Sequence, residues 1–303
     1  MNRESPMVGN PISSIEFDPA DTGLDPAGDG KMWIDRQVHS RLQQAGMSAF
    51  EDVMGTSDGR CLRALKDREN WHLQLHDDHR QPRGVYLKKH HVRTLRSVLW
   101  AKFGGGPAQS AGRIEAENVG RMSADGIAVM KLLAYGEKLH ADGLLESFVL
   151  TEELQGYIEL HYFLRRRFTR CATNSTRKTK RELGRLIRLV AETARRLHAA
   201  GYNHRDLYCC HFFVKEVAVG EFDVKLIDLQ RVQHRRRFRR RWLVKDLAQL
   251  AWSIPRECIR CTDRMAFMRH YLGVRKLRAA DKRLIREVMA KQQVLARRLG
   301  VEE

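Results

Sequence analysis

Two short polar loops, each next to an apolar run, constrain the fold of this chain more than any other feature. The first spans residues 204–211, with the sequence HRDLYCCH, and the apolar run 212–214 follows it. The second is centred on Asp228, and the run 222–227 leads into it. Both runs are short and rich in β-branched and aromatic residues, which is typical of strands. The sequence therefore predicts that Asp206 and Asp228 lie in loops beside successive strands.

An amphipathic helix is predicted directly before the first loop. Between Lys180 and Ala200, apolar residues recur at the spacing i, i+3, i+4, i+7, with Arg and Glu on the opposite side. The apolar stripe consists of Leu183, Leu186, Ile187, Val190, Ala191, Ala194 and Leu197. Gly201 follows the helix, at the position where a left-handed residue costs least. The order of helix, glycine, loop, strand, turn, strand and aspartate is that of the catalytic centre in the C-lobe of protein kinases.

Two aspartates in this order indicate phosphoryl transfer. In kinase chemistry one aspartate accepts the proton of the substrate hydroxyl, and a second holds Mg²⁺ on the nucleotide phosphates. We therefore predict that Asp206 is the catalytic base and that Asp228 binds Mg²⁺ and, through it, ATP.

These motifs resemble those of a known family. The segments H-R-D-x-Y-x-C-H-F, I-D-L-x-R-x and R-W-x-x-K-D-L-A-x-L are similar to the bacterial lipopolysaccharide core kinases, the heptose and Kdo kinases, which are divergent relatives of eukaryotic-type protein kinases. The resemblance covers roughly residues 45–272. It implies an α+β, two-lobed protein-kinase-like fold, with a small antiparallel-sheet N-lobe over 41–153 and a mainly helical C-lobe over 154–303. It also implies ATP and Mg²⁺ as cofactors.

Three short runs, 61–65, 71–75 and 84–88, predict the strands of the N-lobe sheet, because polar turns separate them. By the resemblance, Lys88 at the end of the third run is the lysine that contacts the nucleotide phosphates. The neighbouring Lys89 is the alternative.

A helix predicted from Ser110 to Met122 carries two glutamates, Glu115 and Glu117, one of which is expected to pair with the strand lysine. The register of the family pattern E-W-x-N-L favours Glu115, although Ala116 replaces the tryptophan. The alternative for either glutamate is a solvated position on the helix surface.

The nucleotide-binding elements of the N-lobe are less clear. The apolar run 147–150 leads into acidic residues, as at the hinge between kinase lobes, so main-chain groups of Glu153 and its neighbours are predicted to receive the adenine. The glycine-rich loop of kinases matches poorly, because residues 54–60 contain two glycines but not GxGxxG. This weak match leaves open a pseudokinase that binds nucleotide without turnover.

Four further residues around the aspartates receive predicted roles by the resemblance. His204 and Arg205 are predicted to be structural and to support the catalytic loop. His211 occupies the position of a metal-binding asparagine in protein kinases, so it is predicted to contact metal or phosphate, with packing beneath the loop as the alternative. Asp246, which we place at the start of a helix, is predicted to receive main-chain donors from the catalytic loop, because a carboxylate is favourable at a helix N-terminus.

Residues 231–242 form the most charged run of the chain, with seven arginines among twelve residues. In a kinase this segment borders the acceptor site, and arginine forks bind phosphate and carboxylate bidentately. We therefore predict that Arg231, Arg235 and Arg237 bind the substrate. A solvated basic loop and an arm that binds nucleic acid are the alternatives.

Composition agrees with an anionic partner. The net charge is +18 and the pI about 10.0 over 303 residues, so the surface attracts polyanions. Residues 1–40 are predicted to be a disordered tail, since 1–30 hold four of the seven prolines. The segment Arg278 to Leu299 is predicted to be a basic amphipathic helix. With neither a signal peptide nor a spanning segment, we expect a cytoplasmic protein that contacts the inner face of the cytoplasmic membrane peripherally.

The sequence therefore predicts a kinase that uses ATP and Mg²⁺ and acts on a sugar hydroxyl, heptose or Kdo, of lipopolysaccharide core or another anionic glycolipid. A kinase for a small molecule or a protein is the first alternative. A protein that binds nucleic acid or another polyanion without catalysis is the second, but it leaves the spacing of Lys88, Asp206 and Asp228 unexplained, so nucleic acid is not the expected partner.

Overall fold

A seven-stranded antiparallel sheet forms the first part of the fold. The computed structural model describes residues 22–27, 31–76, 80–94, 97–99, 102, 110–169, 176–235, 237 and 239–298. The strands are β1 (Asp25–Ala27), β2 (Met32–Ile34), β3 (Arg60–Leu65), β4 (Arg68–His76), β5 (Pro82–Arg93), β6 (Leu132–Leu139) and β7 (Leu144–Glu152). Their order in the sheet is β1-β2-β6-β7-β5-β4-β3. The helices α1 (Arg36–Gln44), α2 (Phe50–Gly55) and α3 (Ala111–Ala124) belong to the same part of the chain.

Strand β5 shows how alternation along this sheet separates a core from a cleft. Val85 and Leu87 are buried in a cluster with Phe50 of α2, while Tyr86 and Lys88 point to the other face. A shift of one residue would exchange the two faces, so the register of β5 decides which lysine enters the cleft. Nine paired positions with β7 and nine with β4 specify that register.

The sheet begins earlier than the sequence predicts. Strands β1 and β2 and the start of α1 lie within residues 1–40, which were assigned to a tail, so that boundary was wrong for residues 25–27 and 32–40. Both strands have three residues, too few for a period-two pattern to appear beside the prolines and glycines. Residues 1–21 and 28–30 of the predicted tail lie outside the described residues.

The second part of the fold is mainly helical. Its helices are α4 (Leu160–Phe168), α5 (Arg177–Ala199), α6 (Arg239–Ser253), α7 (Cys261–Leu272) and α8 (Ala279–Arg298). A small sheet has the order β11-β10-β8, formed by Ile158–Glu159 (β8), Phe212–Ala218 (β10) and Glu221–Leu226 (β11), and Tyr202–Asn203 (β9) pairs with Gln233–His234 (β12). The two predicted loops thus flank the hairpin of β10 and β11.

Helix α5 forms where the sequence predicts it and carries much of the second core. All seven residues of the predicted stripe are buried, and each of its leucine, isoleucine and valine side chains contributes about 1.5–3 kcal/mol on burial. Thr176 caps the N-terminus by accepting a hydrogen bond from Thr179 N at 3.2 Å. After the helix Gly201 has φ +94°, and a Cβ there would lie 2.7 Å from His234 Nε2, so only glycine fits.

Helices α4 to α8 also enclose an apolar cavity of about 360 Å³. Its walls are mainly aliphatic and aromatic side chains, among them Leu186, Leu250, Ile254 and Phe267. Within the described part of the chain, no helix is both long enough and apolar enough to span a bilayer.

Candidate active site

A cleft of about 400 Å³ lies where the seven-stranded sheet meets the hairpin of β10 and β11. One side is apolar, with Leu62, Trp71, Leu87, Met130, Leu154 and Ile227 in its walls, and the other presents Lys88, His211 and Asp228. A pocket that is apolar at one end and charged at the other suits a planar base attached to phosphates.

The charged end is organised by Lys88. Its Nζ lies 2.6 Å from Glu115 Oε1 on α3 and 3.4 Å from Asp228 Oδ1. Burial alone would lower the pKa of Lys88, but the charges of Glu115 and Asp228 outweigh it and raise that pKa. Burial likewise opposes ionisation of Asp228, yet Lys88 and His211 lower its pKa. At neutral pH the cleft therefore holds an ammonium group between two carboxylates.

Both alternatives that the sequence left open have other partners. Lys89 is buried on the opposite face of β5, where Nζ donates to the carbonyl oxygen of Thr56 at 2.5 Å. Glu117 pairs with Arg113 at 3.0 Å and with Arg121 at 3.3 Å. Lys88 and Glu115 are the pair that the structure brings into the cleft.

Asn118, to which the sequence reasoning gave no role, connects α3 to the loop of Asp228. Its Nδ2 donates to the carbonyl oxygens of Leu229 at 2.8 Å and Val232 at 3.2 Å. Asp228 itself is left-handed, with φ 59° and ψ 61°, a conformation that costs a non-glycine residue about 1–2 kcal/mol. Helix α3 therefore positions Glu115 and also supports the strained turn. A buried asparagine one turn after Glu115 was the available signal.

Asp246 holds the loop of Asp206 from below. It is completely buried and accepts hydrogen bonds from the main-chain N of His204 at 2.8 Å and of Arg205 at 2.9 Å, and it lies 3.2 Å from His198 Nε2. The predicted donors are therefore in place. The predicted position at a helix start was wrong, because α6 begins at Arg239 and Asp246 lies inside it. The arginines of the first turn of α6 carry no apolar stripe, so the sequence pattern indicated a loop there.

His204 and Arg205 have the supporting contacts expected of structural residues. His204 Nε2 lies 3.1 Å from the carbonyl oxygen of Ile227, which can only accept, so this nitrogen carries the proton. Burial lowers the pKa of His204 to about 4, so the ring is neutral at pH 7 and is only a weak base. Arg205 adopts φ +70°, and its guanidinium lies 5.3 Å from the centre of the Trp242 ring.

His211 connects the two loops. Its Nδ1 lies 2.6 Å from the carbonyl oxygen of Asp206 and its Nε2 3.6 Å from Asp228 Oδ2. Burial opposes the charged form, but hydrogen bonding to Cys210 and to the Asp206 carbonyl, together with the charge of Asp228, raises the pKa of His211 to about 9. The protonated ring donates from Nδ1 to the Asp206 carbonyl, and its Nε2–H is near Asp228 but beyond hydrogen-bond distance from it.

Of the three arginines predicted to bind substrate, Arg231 lies at the predicted base. Its Nη1 is 2.7 Å from Asp206 Oδ2. Arg235 packs on the Trp242 ring at 4.5 Å, and Arg237 is exposed. Arg236 and Phe238 of the same run lie outside the described residues.

Glu153 lines the cleft, but its main chain is already engaged. Its N donates to the carbonyl oxygen of Gly84 at 3.0 Å, and its carbonyl oxygen accepts from Gln155 N at 2.9 Å. The next residue, Leu154, also lines the cleft, and its N–H has no hydrogen-bond partner among the described residues. Within the predicted segment, Leu154 is therefore better placed than Glu153 to receive an adenine.

The hairpin that borders the cleft is formed by β3 and β4, joined at Lys66 and Asp67. Residues 54–59, which were compared above with a glycine-rich loop and matched it poorly, lie before this hairpin, and Arg60 is the first residue of β3. The turn carries no glycine, and the cleft instead receives the side chains of Arg63 and Arg68. Arg68 Nη1 lies 3.4 Å from Gln230 Oε1, two residues after Asp228.

Asp228 suits a magnesium ion better than His211 does. Mg²⁺ prefers oxygen ligands, and it usually takes one or two protein carboxylates, with phosphates and water completing the octahedron. Asp228 is ionised and 29% exposed to the cleft, whereas the protonated His211 has no lone pair to offer. Among the described residues no group of three or more His, Cys, Asp and Glu side chains could hold a metal. A Mg²⁺ ion here would therefore depend on nucleotide phosphates for its other ligands.

A lysine paired with a helix glutamate, two facing aspartate loops and a two-lobed α+β architecture define a kinase-like protein. Residues 53–271 match the model of the lipopolysaccharide kinase (Kdo/WaaP) family. The chain belongs to this family.

Individual relatives agree with this assignment. The lipopolysaccharide core heptose(I) kinase WaaP of Pseudomonas aeruginosa is 30% identical over 233 residues, which cover 75% of this chain and 81% of that protein. The enzyme of the same name from Escherichia coli K12 is 30% identical over 260 residues, 84% of this chain and 93% of that one. The solved structure of WaaP in complex with acyl carrier protein superposes with a TM-score of 0.63 at 28% identity, covering 86% of this chain and 96% of that one. This chain is therefore a kinase-family protein with the fold of WaaP.

Proposed function

We propose that this protein transfers the γ-phosphoryl group of ATP, with Mg²⁺, to a sugar hydroxyl of the lipopolysaccharide inner core, on heptose or Kdo. The observation that carries the proposal is the chain of contacts Glu115–Lys88–Asp228, linked through His211 to the loop of Asp206. It joins the charged end of a nucleotide-sized cleft to a second carboxylate, Asp206, which lies beside the basic run and is paired with Arg231. In this proposal the N-lobe contains the strands β1 to β7, the C-lobe contains the helices α4 to α8, and the two lobes meet near residue 153.

Each residue has a defined task in this reaction. Leu154 N–H and the apolar walls would bind the adenine, and Lys88, oriented by Glu115, would hold the phosphates. Mg²⁺ held by Asp228 would neutralise charge on the phosphates. Asp206 accepts the proton of the acceptor hydroxyl, whose oxygen bonds to the γ-phosphorus while the bond to the bridging oxygen breaks and ADP keeps that electron pair. His211 keeps the two aspartate loops aligned and donates to phosphate from Nε2.

The acceptor side of the proposal is supported by charge. Arg231 at Asp206, with Arg235 and Arg237 in the same run, provides cations for the phosphate and carboxylate groups of an inner-core saccharide. The net charge of +18 also favours contact with anionic lipid, so we place the protein on the inner face of the cytoplasmic membrane as a peripheral, cytoplasmic enzyme.

Acyl carrier protein is a further proposed partner, because the superposable relative is in complex with it. The apolar cavity of about 360 Å³ among α4 to α8 offers a volume in which a carried acyl chain would be sheltered from water. Co-purification of this chain with acyl and unloaded forms of the carrier tests the partner, and a preference for the acyl form supports the cavity.

The decisive experiment measures transfer of labelled phosphate from ATP to purified lipopolysaccharide core, with and without Mg²⁺. Wild type, Asp206→Ala and Asp228→Ala are compared, with nucleotide binding measured in parallel by calorimetry. We expect Mg²⁺-dependent transfer in the wild type and a loss of at least about 10³-fold in both variants, because each removes a group that acts on the reacting atoms.

Other outcomes separate the alternatives. Nucleotide binding without turnover on core, protein or small-molecule acceptors would favour a pseudokinase. Absence of nucleotide binding, with steeply salt-dependent binding to DNA or RNA, would favour a polyanion-binding protein and exclude the proposed reaction.

A further inference from the structure

Arg231 forms an ion pair with Asp206, the proposed proton acceptor. Arg231 Nη1 lies 2.7 Å from Asp206 Oδ2, and the Asp206 side chain is 17% exposed. A hydroxyl group that donates to Asp206 needs a lone pair of this carboxylate, and Arg231 holds one of its oxygens. Arg231 and an incoming acceptor therefore compete for the same group.

The cation at Asp206 comes from the neighbouring loop. Residues 207–210 are Leu, Tyr, Cys and Cys, so the segment from Asp206 to His211 offers no cation until His211 itself. Arg231 ends the short 3₁₀ turn that follows Asp228, and Asn118 holds the carbonyl oxygens on either side of it. The backbone is thereby fixed, and Arg231 can leave Asp206 by rotation of its side chain alone.

We propose that Arg231 determines acceptor specificity by an exchange of partners, in which an anionic group of the acceptor, next to the reacting hydroxyl, draws Arg231 away from Asp206. This inference rests on the proposed function and adds how the acceptor is recognised. Without the acceptor, Arg231 keeps Asp206 occupied. With it, the same guanidinium binds the acceptor's phosphate or carboxylate, and Asp206 is free to accept the hydroxyl proton.

The contacts of Arg231 suit an exchange. Its side chain is 51% exposed, and half-exposed ion pairs stabilise a fold only weakly, so separation costs little. A guanidinium fork can bind phosphate or carboxylate through two parallel hydrogen bonds, and the contact of Arg231 with Asp206 joins Nη1 to Oδ2. Lys245, whose Nζ donates to the carbonyl oxygen of Arg205, remains beside Asp206 after Arg231 has left.

The exchange would restrain hydrolysis of ATP when no acceptor is bound. In hydrolysis the oxygen of a water bonds to the γ-phosphorus, the bond to the bridging oxygen breaks, ADP leaves with that electron pair, and Asp206 takes the proton of the water. An Asp206 held by Arg231 accepts this proton less readily. Removal of the guanidinium should therefore raise hydrolysis and weaken recognition of the acceptor at the same time.

The test compares wild type, Arg231→Gln and Arg231→Lys, with Arg240→Gln as the matched control. Arg240 lies in the same basic run and pairs with Glu287 at 2.9 Å on the surface, so its substitution removes the same charge without touching Asp206. We expect Arg231→Gln to raise acceptor-free phosphate release from Mg²⁺-ATP about fivefold, the factor that corresponds to a pair of roughly 1 kcal/mol. The rate of phosphate release by Arg231→Lys should lie between those of the wild type and Arg231→Gln. Arg240→Gln should release phosphate at the wild-type rate.

Two further arms identify the cause. Adding Asp206→Asn to Arg231→Gln should abolish the extra hydrolysis, because in that reaction Asp206 takes the proton of the water. Core saccharides that carry a phosphate, a carboxylate or neither are compared as acceptors by kcat/KM. The wild type should prefer one of the charged acceptors at least about tenfold, and Arg231→Gln should lose that preference.

The outcomes distinguish the inference from the proposed function. If Arg231→Gln transfers phosphate but hydrolyses ATP no faster than the wild type, or keeps the preference for charged acceptors, the exchange is wrong and the kinase reaction stands. If none of the proteins binds or consumes ATP, the proposed function fails and the inference fails with it.

Discussion

The two sides of the cleft are built in different ways. On one side, the loops of Asp206 and Asp228 are held by buried side chains that bond to main chain, namely Asp246, His204 and Asn118. On the other side, all six residues of β3 are exposed. The hydrogen bond from Arg68 to Gln230 is long, at 3.4 Å. The two carboxylates thus lie on loops held by buried contacts, while the hairpin of β3 and β4 beside the cleft is exposed along β3. Substitutions on the side with buried contacts should therefore cost more.

Substitution of Asp246 is expected to have the largest effect on stability. Asp246→Ala would leave the N–H groups of His204 and Arg205 buried without an acceptor and His198 without its partner. We expect the free energy of unfolding to fall by about 3–5 kcal/mol, together with loss of activity. Urea unfolding followed by circular dichroism measures this.

Asp281→Ala is the control for this prediction. Asp281 also accepts a main-chain hydrogen bond, from Arg278 N at 2.7 Å, but at an exposed helix start. Its loss should cost about 1 kcal/mol. Equal losses at the two positions would mean that burial of Asp246 does not set the rigidity of the Asp206 loop.

The next largest effect is on kcat/KM for ATP, and it should differ between two glutamates of helix α3. Glu115→Gln keeps the shape of the side chain but removes the charge that orients Lys88, and we expect kcat/KM for ATP to fall about 10–100-fold, or 1.4–2.7 kcal/mol. Glu117→Gln removes an equal charge two residues away, where the pairs of Glu117 among the described residues are with Arg113 and Arg121 of α3, and should stay within about twofold. Similar losses in both variants would contradict the assignment of Glu115.

The same pair of glutamates shows what could be predicted from the sequence. A motif with fixed spacing points to Lys88, Glu115, Asp206 and Asp228, because each lies within a few residues of a strand or helix whose period is readable. The contacts of Lys88 with Glu115 and Asp228 span 27 and 140 residues of sequence. The periodicity cannot give such contacts; the resemblance suggested the first of them, and the second was not predicted.

The features that the sequence analysis missed are those without local pattern. Asn118 bonds to residues 111 and 114 positions away, and an isolated asparagine in a helix carries no sign of its partner. The arginines that open α6 have neither an apolar stripe nor a cap, so its start was placed too late. The strands of the hairpin of β3 and β4 were predicted, but no pattern in them indicates that the hairpin borders the cleft.

A third prediction uses the pKa of His204 to test the buried support. The folded-state pKa of about 4 lies below the ordinary value of 6.5, so the unfolded chain binds the proton more tightly. Stability should therefore fall as pH drops from about 6.5 toward 4, by about 2 kcal/mol at pH 5 from this residue. Unfolding free energies of wild type and His204→Asn across this range measure it. Parallel pH curves for the two proteins would mean that His204 is not held neutral.

The smallest effect is expected on the open side, at Arg68. Because Arg68 lines the cleft near Lys88 and the turn of β3 and β4 lacks glycine, we expect its side chain to hold nucleotide phosphate where kinases use main-chain groups. Arg68→Gln should weaken binding of ATP and ADP about three- to tenfold, roughly 1 kcal/mol, and leave adenosine binding unchanged.

Arg60→Gln is the matched control, since Arg60 is an exposed arginine of the same hairpin that does not line the cleft. Calorimetric titration of the three ligands separates the possibilities. A loss of adenosine binding in Arg68→Gln would indicate that the hairpin itself is distorted. Unchanged binding of all three would mean that Arg68 holds no phosphate. A loss confined to ATP and ADP would show that this side of the cleft contributes through the side chain of Arg68, in contrast to the buried network around the loop of Asp206.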